Sequence, residues 1–387
     1  MRRYDLDWIR VLVFALLILY HVGMFFVPWD WHIKYETSAG WLRYPMLFIN
    51  QWRLPILFVV SGMGTYYAFN KRDGKQFILE RSKRLLVPLF VGILLVVPPQ
   101  VYVERIVEQH FHGSYFDFWP VHAFTGIYPS GNFSWHHLWF LPYLFTFSLL
   151  LCPLFIYLRN NPGNKLRTWL GKTLRSPAGF LWLLLPLYLA EALLEPFFPV
   201  THALVGDWFT LTSNGFLFLY GFLLISVKDV FWPIAQKYRR RFLYCGILGF
   251  TIWIITILSF EDTIYLHFSE AFLKVFNLGA WILAIFGYSS RYLNKPSISL
   301  AYANEAVYPF YILHQTITIF LGYLVLQWEW TFTPAFLFMI LGTFGLTWLI
   351  YATLIRPWKW IRPLFGLKGR GGKKARANYL QQAAPIK

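Results

Sequence analysis

The sequence predicts an all-α, polytopic integral membrane protein with about ten transmembrane helices. The chain is 57% hydrophobic, 21% aromatic and only 14% charged, with a mean hydropathy of +0.46, whereas soluble domains carry about 25% charged residues. Apolar runs long enough to cross about 30 Å of hydrocarbon recur along the whole chain. We predict these spans at 8–28, 44–69, 84–103, 136–158, 179–199, 209–227, 242–259, 271–290, 303–325 and 333–355.

The basic residues predict how these spans are oriented. Of the 35 Lys and Arg residues, 29 fall at the two ends and in alternate connections, and three fall on the opposite side. Such an asymmetry follows the positive-inside rule and predicts that both termini are cytoplasmic. The same asymmetry explains the net charge of +17 as a consequence of orientation in the membrane. We therefore predict no nucleic-acid partner. The remaining three cations lie inside predicted spans: Arg10, Arg53 and Lys274.

The spans leave no room for a soluble domain, and we predict one transmembrane domain over residues 1–365. The basic, Gly-containing tail 366–387 is predicted to be disordered against anionic cytoplasmic lipid. Acidic residues interrupt the first apolar run, so we expect it to be retained rather than cleaved as a signal peptide. The longest gap, 104–135, is predicted to be an outer loop that contains Glu104. Cys152 and Cys245 have no CxxC spacing, and we predict no metal site.

Arg10 and His21, both in the first span, are the most informative polar residues. Eleven residues make close to three helical turns and about 16 Å, so both side chains share one helix face. Ionisable groups at membrane depth are expensive, which makes them candidates for function. Asp7 precedes Arg10 by three residues and is predicted to orient or neutralise it.

Arg53 and His314 come out at a depth similar to that of His21 when residues are counted at 1.5 Å each from the span ends. The three groups are therefore predicted to converge near one level of the membrane. Each could instead satisfy an ordinary hydrogen bond between helices. On helix 5, Glu191 is expected to form a structural ion pair with Lys274 rather than a proton relay.

Arg81 and Arg84, with Lys83 between them, stand at the predicted cytoplasmic mouth of the third span. Their spacing of three residues puts both guanidinium groups on one side of a helix start. Paired guanidinium groups suit the phosphates of a cytosolic donor, since arginine binds phosphate bidentately. The alternative is that these basic residues only flank a membrane span on its cytoplasmic side, as the positive-inside rule expects.

The segment SWHHLWFLPY begins the fourth span at the predicted outer face. His136 and His137 differ by about 100° around a helix and are not expected to share one ion. His137 with Trp139 suits either an interfacial aromatic belt or a sugar hydroxyl held against stacked rings. The chain contains no GxSxG, HExxH, GxxxxGK[ST] or Rossmann GxGxxG motif, which removes support for nucleophilic serine and zinc hydrolysis.

Taken in order, DWIRVLVFALLILYH, WRLPILFVVSGMG, ERSKRLLVP, HHLWFLPY and YPFYILHQ resemble the acyltransferase-3 family of membrane-bound acyltransferases over about residues 5–365. Arg53 before FVVSG and the HLWFL segment are most similar to the glucan-modifying branch, whose members succinylate periplasmic glucans. The resemblance implies ten core helices, a cytosolic acyl-coenzyme A donor (succinyl or acetyl), a hydroxyl acceptor on an extracytoplasmic glycan, and a bacterial inner-membrane location.

By the same resemblance, His21 and Arg10 take the family's catalytic positions, and Arg81 and Arg84 contact the donor. His21 is then a general base or a transient acyl acceptor, and Arg53 stabilises the oxyanion or holds a succinyl carboxylate. His314 joins His137 and Trp139 as a residue predicted to contact substrate. A rival interpretation is an organic-anion transporter in which Arg10, His21 and Arg53 line a path. The sequence leaves open whether the chain forms a homodimer.

Overall fold

The structure is a computed structural model that describes residues 2–69, 71–261 and 263–369. Within these residues the chain is helical and forms no β-strand, as predicted. Of the basic tail predicted to be disordered, residues 370–387 lie outside the described part. Sixteen α-helices follow one another: α1 (Tyr4–Phe26), α2 (Arg43–Asn50), α3 (Arg53–Phe69), α4 (Gly74–Arg81), α5 (Val87–Val91), α6 (Pro98–Val107), α7 (Tyr115–Val121), α8 (Phe140–Leu150), α9 (Cys152–Asn160), α10 (Lys165–Thr173), α11 (Leu181–Leu193), α12 (Trp208–Ser226), α13 (Lys228–Ser259), α14 (Ile264–Tyr292), α15 (Ile298–Trp328) and α16 (Phe332–Ile350).

Shorter helical turns extend several of these helices. Four of them are 3₁₀ turns, at Gly40–Leu42, His136–Trp139, Pro177–Phe180 and Arg362–Phe365. Three are π-helical turns, at Ser82–Leu86, Gly92–Val96 and Tyr351–Ile355. π-helical turns are rare and are frequent at functional sites.

Eight segments of the described chain are long and apolar enough to cross a membrane: Tyr4–Phe26, Gly40–Phe69, Gly74–Val107, Trp208–Ser226, Lys228–Ser259, Ile264–Tyr292, Ile298–Trp328 and Phe332–Ile355. The chain is therefore a multi-pass membrane protein. The fourth predicted span is a pair of helices, α8 and α9, that bend by 49°, where a proline follows Cys152 and removes a backbone donor. Counted as one span, the pair makes nine. The fifth predicted span is the shorter apolar segment Pro177–Leu193, so the number ten and the orientation stay predictions.

The internal contacts divide the described chain into two compact units. The first comprises residues of Met1–Val13, Phe48–Glu80 and Tyr143–Lys295, and the second those of Phe14–Leu47, Arg81–Pro142 and Pro296–Lys387. Helix α1 contributes its beginning to the first unit and the rest to the second. The single-domain organisation predicted for residues 1–365 stays a prediction.

In the first unit, α3 packs directly against α12 because both helices carry glycine at the contact. A Cβ atom added to Gly62 would lie 1.9 Å from the Phe218 carbonyl oxygen, and one added to Gly221 would lie 1.9 Å from the Val59 carbonyl oxygen. Small residues of this kind let helix backbones approach closely in membranes. Elsewhere in this unit, Lys274 Nζ donates to Glu191 Oε1 at 3.0 Å, which confirms the predicted ion pair.

In the second unit, the later part of α1 packs with α15 and α16 around a core that includes Val22, Phe25, Phe26 and Ile319. The chain leaves α1 in a tight turn. There Lys34 Nζ donates to the carbonyl oxygens of Met24, at 2.7 Å, and of Val27. A cation at this position satisfies carbonyl groups that have no partner within the helix. This turn fixes the loop that follows α1, which carries His32.

Candidate active site

Two histidines of the second unit, His21 and His137, contact a third, His314. Nδ1 of His21, on α1, lies 2.6 Å from Nε2 of His314, on α15, and the two rings are nearly parallel, at 9°. The ring of His137 stands edge-on to that of His314, with 5.2 Å between centroids. His314 is fully buried and His137 is 6% exposed. The structure therefore brings His21 and His314 together at one level, and it adds His137.

Backbone carbonyl groups fix the protonation of this pair. Nδ1 of His314 faces the carbonyl oxygens of Tyr311, at 2.8 Å, and Phe310, at 3.1 Å. Carbonyl oxygens only accept, so this nitrogen carries the proton and Nε2 of neutral His314 is an acceptor. His21 must then donate through Nδ1, which places the lone pair of its neutral ring on Nε2. His314 thus holds His21 in the tautomer that a base or nucleophile needs.

His137 and Trp139 lie inside the second unit, with Trp139 only 8% exposed. This burial does not fit a lipid-facing aromatic belt, while contact with a sugar stays a prediction. Nε2 of His137 donates to the Ile312 carbonyl at 2.9 Å, and among the described residues its Nδ1 has no hydrogen-bond partner. The ring of His136 instead faces His32, with 4.6 Å between centroids. The two adjacent histidines therefore point at different partners, as their spacing predicted.

Arg10 and Asp7 lie in the first unit, near the start of α1. Arg10 Nη1 donates to Asp7 Oδ1 at 3.1 Å, and Arg2 Nη2 donates to Asp7 Oδ2 at 2.8 Å. Asp7 is 6% exposed, so its carboxylate orients Arg10, as predicted. Helix α1, Tyr4–Phe26, contains both Arg10 and His21.

Arg53 is also in the first unit and is 3% exposed. Its Nη2 donates to Asn50 Oδ1 at 3.3 Å. Its positive charge also acts on His202, in the loop before α12. Burial, and to a smaller extent Arg53, lower the pKa of His202 to about 4, although the Asp207 carboxylate opposes this shift. The depth that Arg53 was predicted to share with His21 stays a prediction.

Arg81, Lys83 and Arg84 belong to the second unit, and here the structure corrects the predicted geometry. The α-helix ends at Arg81, and Ser82–Leu86 wind as a π-helix, so the two arginines do not share a regular α-helical turn. Lys83 and Arg84 are exposed and Arg81 is half-buried. The Tyr308 hydroxyl donates to the Arg84 carbonyl at 2.9 Å, and both guanidinium groups act electrostatically on Tyr308.

A second polar cluster of the second unit was missed by the sequence analysis. The sequence predicts an outer loop at Glu104, but α6 continues to Val107, and Glu104 is 2% exposed. Nδ1 of His32 is hydrogen-bonded to Glu104 Oε2. Nε2 of His32 lies 3.0 Å from Nε2 of Gln315, the residue next to His314. The only sequence signal was a carboxylate close to the end of an apolar run.

Among the described residues, no three His, Cys, Asp or Glu side chains are grouped so that they could hold a metal ion.

The sequence profile of the acyltransferase domain that defines the acyltransferase-3 family matches residues 3–352. Glucans biosynthesis protein C of Escherichia coli strain K12 is 24% identical over 329 residues, which cover 83% of each chain. The proteins of the same name from strains O1:K1 and O139:H28 give the same figures. No solved structure matches this chain.

Proposed function

Because this chain belongs to the acyltransferase-3 family, we propose that it moves an acyl group from cytosolic acyl-coenzyme A to a hydroxyl of an extracytoplasmic glycan. Membership makes it a membrane acyltransferase, and it does not favour the transporter alternative. Similarity to Glucans biosynthesis protein C supports a glucan as the acceptor. We propose in addition that a succinyl or acetyl group is transferred and that the protein lies in the bacterial inner membrane.

The His21–His314 pair is the observation that carries this proposal. A neutral imidazole with its lone pair on Nε2 can remove a proton from an acceptor hydroxyl, or it can attack the thioester carbon itself. As the ring of His21 becomes positively charged, Nε2 of His314 accepts the hydrogen bond from Nδ1 and stabilises that charge. A His oriented by a hydrogen-bonded third group is a recurrent arrangement in acyl transfer.

On the donor side, Arg81, Lys83 and Arg84 are proposed to hold the phosphates of coenzyme A. Lys83 and Arg84 are solvent-exposed, so a ligand from the cytoplasm can reach their charges. Guanidinium groups bind phosphate with two parallel hydrogen bonds. The Asp7 carboxylate keeps the Arg10 guanidinium in one orientation, and Arg10 is proposed to guide the thioester along the helix face that it shares with His21.

Arg53 is proposed to stabilise the developing oxyanion or to hold the free carboxylate of a succinyl group. Its burial supports this role, because a guanidinium at 3% exposure interacts strongly with an anion. Arg53→Leu is expected to reduce turnover and to remove any preference for a succinyl over an acetyl donor. Arg53→Lys, which keeps the charge, is the matched control. Unchanged turnover and preference in Arg53→Leu would remove this residue from the site.

The direct test supplies purified chain in lipid nanodiscs with radiolabelled succinyl- or acetyl-coenzyme A and a glucan oligosaccharide. We expect release of free thiol together with labelled glucan, and loss of both in His21→Ala. His110→Gln is the matched control, since the His110 side chain is 66% exposed and takes no part in the proposed reaction. Accumulation of an unmodified anion in proteoliposomes without thiol release would instead favour the transporter.

A further inference from the structure

The second unit contains a buried glutamate–histidine pair beside the histidines of the proposed site. Glu104 is 2% exposed, and its Oε2 is hydrogen-bonded to Nδ1 of His32. Burial of a carboxylate is costly unless charged or polar partners compensate. Arg105 Nη1, 3.6 Å from Oε1 of the same carboxylate, supplies part of that compensation. His32 and the Tyr128 hydroxyl, which is hydrogen-bonded to the same carboxylate, supply the rest, and Glu104 thereby holds His32 in a fixed orientation.

Gln315 defines the tautomer of His32. Its amide nitrogen lies 3.0 Å from Nε2 of His32 and 3.2 Å from Oε1 of Gln100. Since an amide NH₂ group only donates, Nε2 of His32 accepts and carries the lone pair, and Nδ1 donates to Glu104. His32 is therefore a second neutral imidazole. Its lone pair on Nε2 accepts from the Gln315 amide, so it acts as a base once an acceptor hydroxyl replaces that amide, and Glu104 is placed to stabilise the imidazolium that forms when Nε2 takes a proton.

Two chain segments connect this pair to the first group of histidines. His314 contacts His21 while its neighbour Gln315 contacts His32. In the same way, the ring of His137 packs against His314 while that of His136 packs against His32. His136 adopts a φ of +41°, a left-handed conformation that is strained for a residue with a side chain. That strain is tolerated where consecutive side chains must face two different groups.

We propose that His32 is the base that activates the acceptor hydroxyl and that Glu104 is its positioning residue, so acyl transfer uses two bases. This inference rests on the proposed function. A His21 ring that carries the acyl group on Nε2 has no lone pair left for the acceptor. On the predicted topology, the loop that bears His32 also follows the outward-running α1 and faces the acceptor side.

In the first step, Nε2 of His21 bonds to the thioester carbon, the C–S bond breaks, and thiolate leaves. The acyl-imidazolium keeps its Nδ1 proton, which stays hydrogen-bonded to Nε2 of His314. In the second step, the acceptor hydroxyl replaces the Gln315 amide at Nε2 of His32, and this nitrogen takes the hydroxyl proton while the hydroxyl oxygen bonds to the acyl carbon. The C–N bond breaks, and its electron pair returns to Nε2 of His21, which is again a neutral ring with its proton on Nδ1. The proton on His32 then leaves to water on the acceptor side.

The test compares two acceptors on the full chain in nanodiscs, with radiolabelled succinyl- and acetyl-coenzyme A as donors. A glucan oligosaccharide presents hydroxyl groups that need a base, whereas hydroxylamine is uncharged at pH 7 and attacks without prior deprotonation. In His32→Gln we expect glucan labelling to fall about 10²- to 10⁴-fold. Hydroxamate formation should stay within about threefold of the wild-type rate. Glu104→Gln should also lower glucan labelling selectively, but by a smaller factor. Glu104→Asp should recover part of the glucan labelling.

His110→Gln is the matched control and should transfer to both acceptors at the wild-type rate. Equal losses with both acceptors in His32→Gln would mean that His32 only supports the structure, and this overturns the inference. Wild-type glucan labelling in His32→Gln overturns it as well. A wild-type chain that releases no thiol from either donor would overturn the proposed function, and the inference with it.

Discussion

Replacement of His314 tests whether its hydrogen bond to His21 sets the reactive tautomer. His314→Phe keeps a ring of similar size at a fully buried position but removes the acceptor that lies 2.6 Å from Nδ1 of His21. His314→Gln is the matched control, because its amide oxygen can occupy the position of Nε2 and accept the same hydrogen bond. The prediction is a large fall in kcat for the Phe variant and a small one for the Gln variant.

The size of the effect follows from the hydrogen bond that is lost. A hydrogen bond to a group that becomes charged contributes about 1.5–3 kcal/mol, and about 1.4 kcal/mol corresponds to a tenfold change in rate. The Phe variant should therefore lose about 10- to 150-fold in kcat. KM for the donor should change little, because His314 is not among the residues proposed to hold coenzyme A. The Gln variant should lose less than about fivefold.

The assay is steady-state thiol release by purified protein in nanodiscs, at donor concentrations that separate kcat from KM. Thermal unfolding of each variant in detergent verifies that the fold is intact. A kcat for His314→Phe within twofold of the wild-type value would refute the tautomer argument. Equal losses in the Phe and Gln variants, with both folded, would also refute it, since shape rather than the hydrogen bond would then be responsible.

Three further outcomes are expected from the packing and the charges. Gly62→Ala should lower the unfolding temperature by several degrees, because the new Cβ meets a backbone oxygen at 1.9 Å, whereas Gly345→Ala, with no atom within 4 Å, should not. Lys34→Met should destabilise the protein by about 1–3 kcal/mol in detergent unfolding, because two carbonyl groups lose their donor. His202 binds its proton less readily when folded than when unfolded, so stability should fall as the pH drops below about 6.5. Thermal unfolding at pH 7 and pH 5 should show that the free energy of unfolding is lower at pH 5 by at most about 2 kcal/mol, and that His202→Gln abolishes this difference. Equal acid sensitivity of the wild-type protein and His202→Gln would contradict this prediction.

The pairing of His21 with His314 could be anticipated from the sequence because helical rise is regular. Counting residues from the span ends converts sequence position into depth, and two polar groups at one depth in an apolar medium tend to pair. The same reasoning could not reveal His137 as the third member. A residue at the start of a span has no preceding helical turns from which its direction can be counted, and here that start is a 3₁₀ turn.

Glu104 shows the opposite case. Its position near the end of an apolar run predicts a loop, but α6 continues past it, and His32 and Tyr128, both from loops, are hydrogen-bonded to the carboxylate. These partners are 72 and 24 residues away in sequence, so no local pattern could indicate them. The π-helical turn after Arg81 was equally hidden, since the choice between α and π winding depends on the side chains packed around the turn.

The sequence by itself determined the membrane class, the helical architecture and the approximate position of nearly every span. It also identified the polar residues that are most costly to place inside a membrane. These follow from composition and from the fixed geometry of an α-helix in hydrocarbon. Only the tertiary structure decided which helices bring their histidines together, which nitrogen of each ring carries the proton, and that His32 contacts both Glu104 and Gln315. Such properties depend on contacts between residues far apart in sequence, and hydropathy and periodicity contain no information about them.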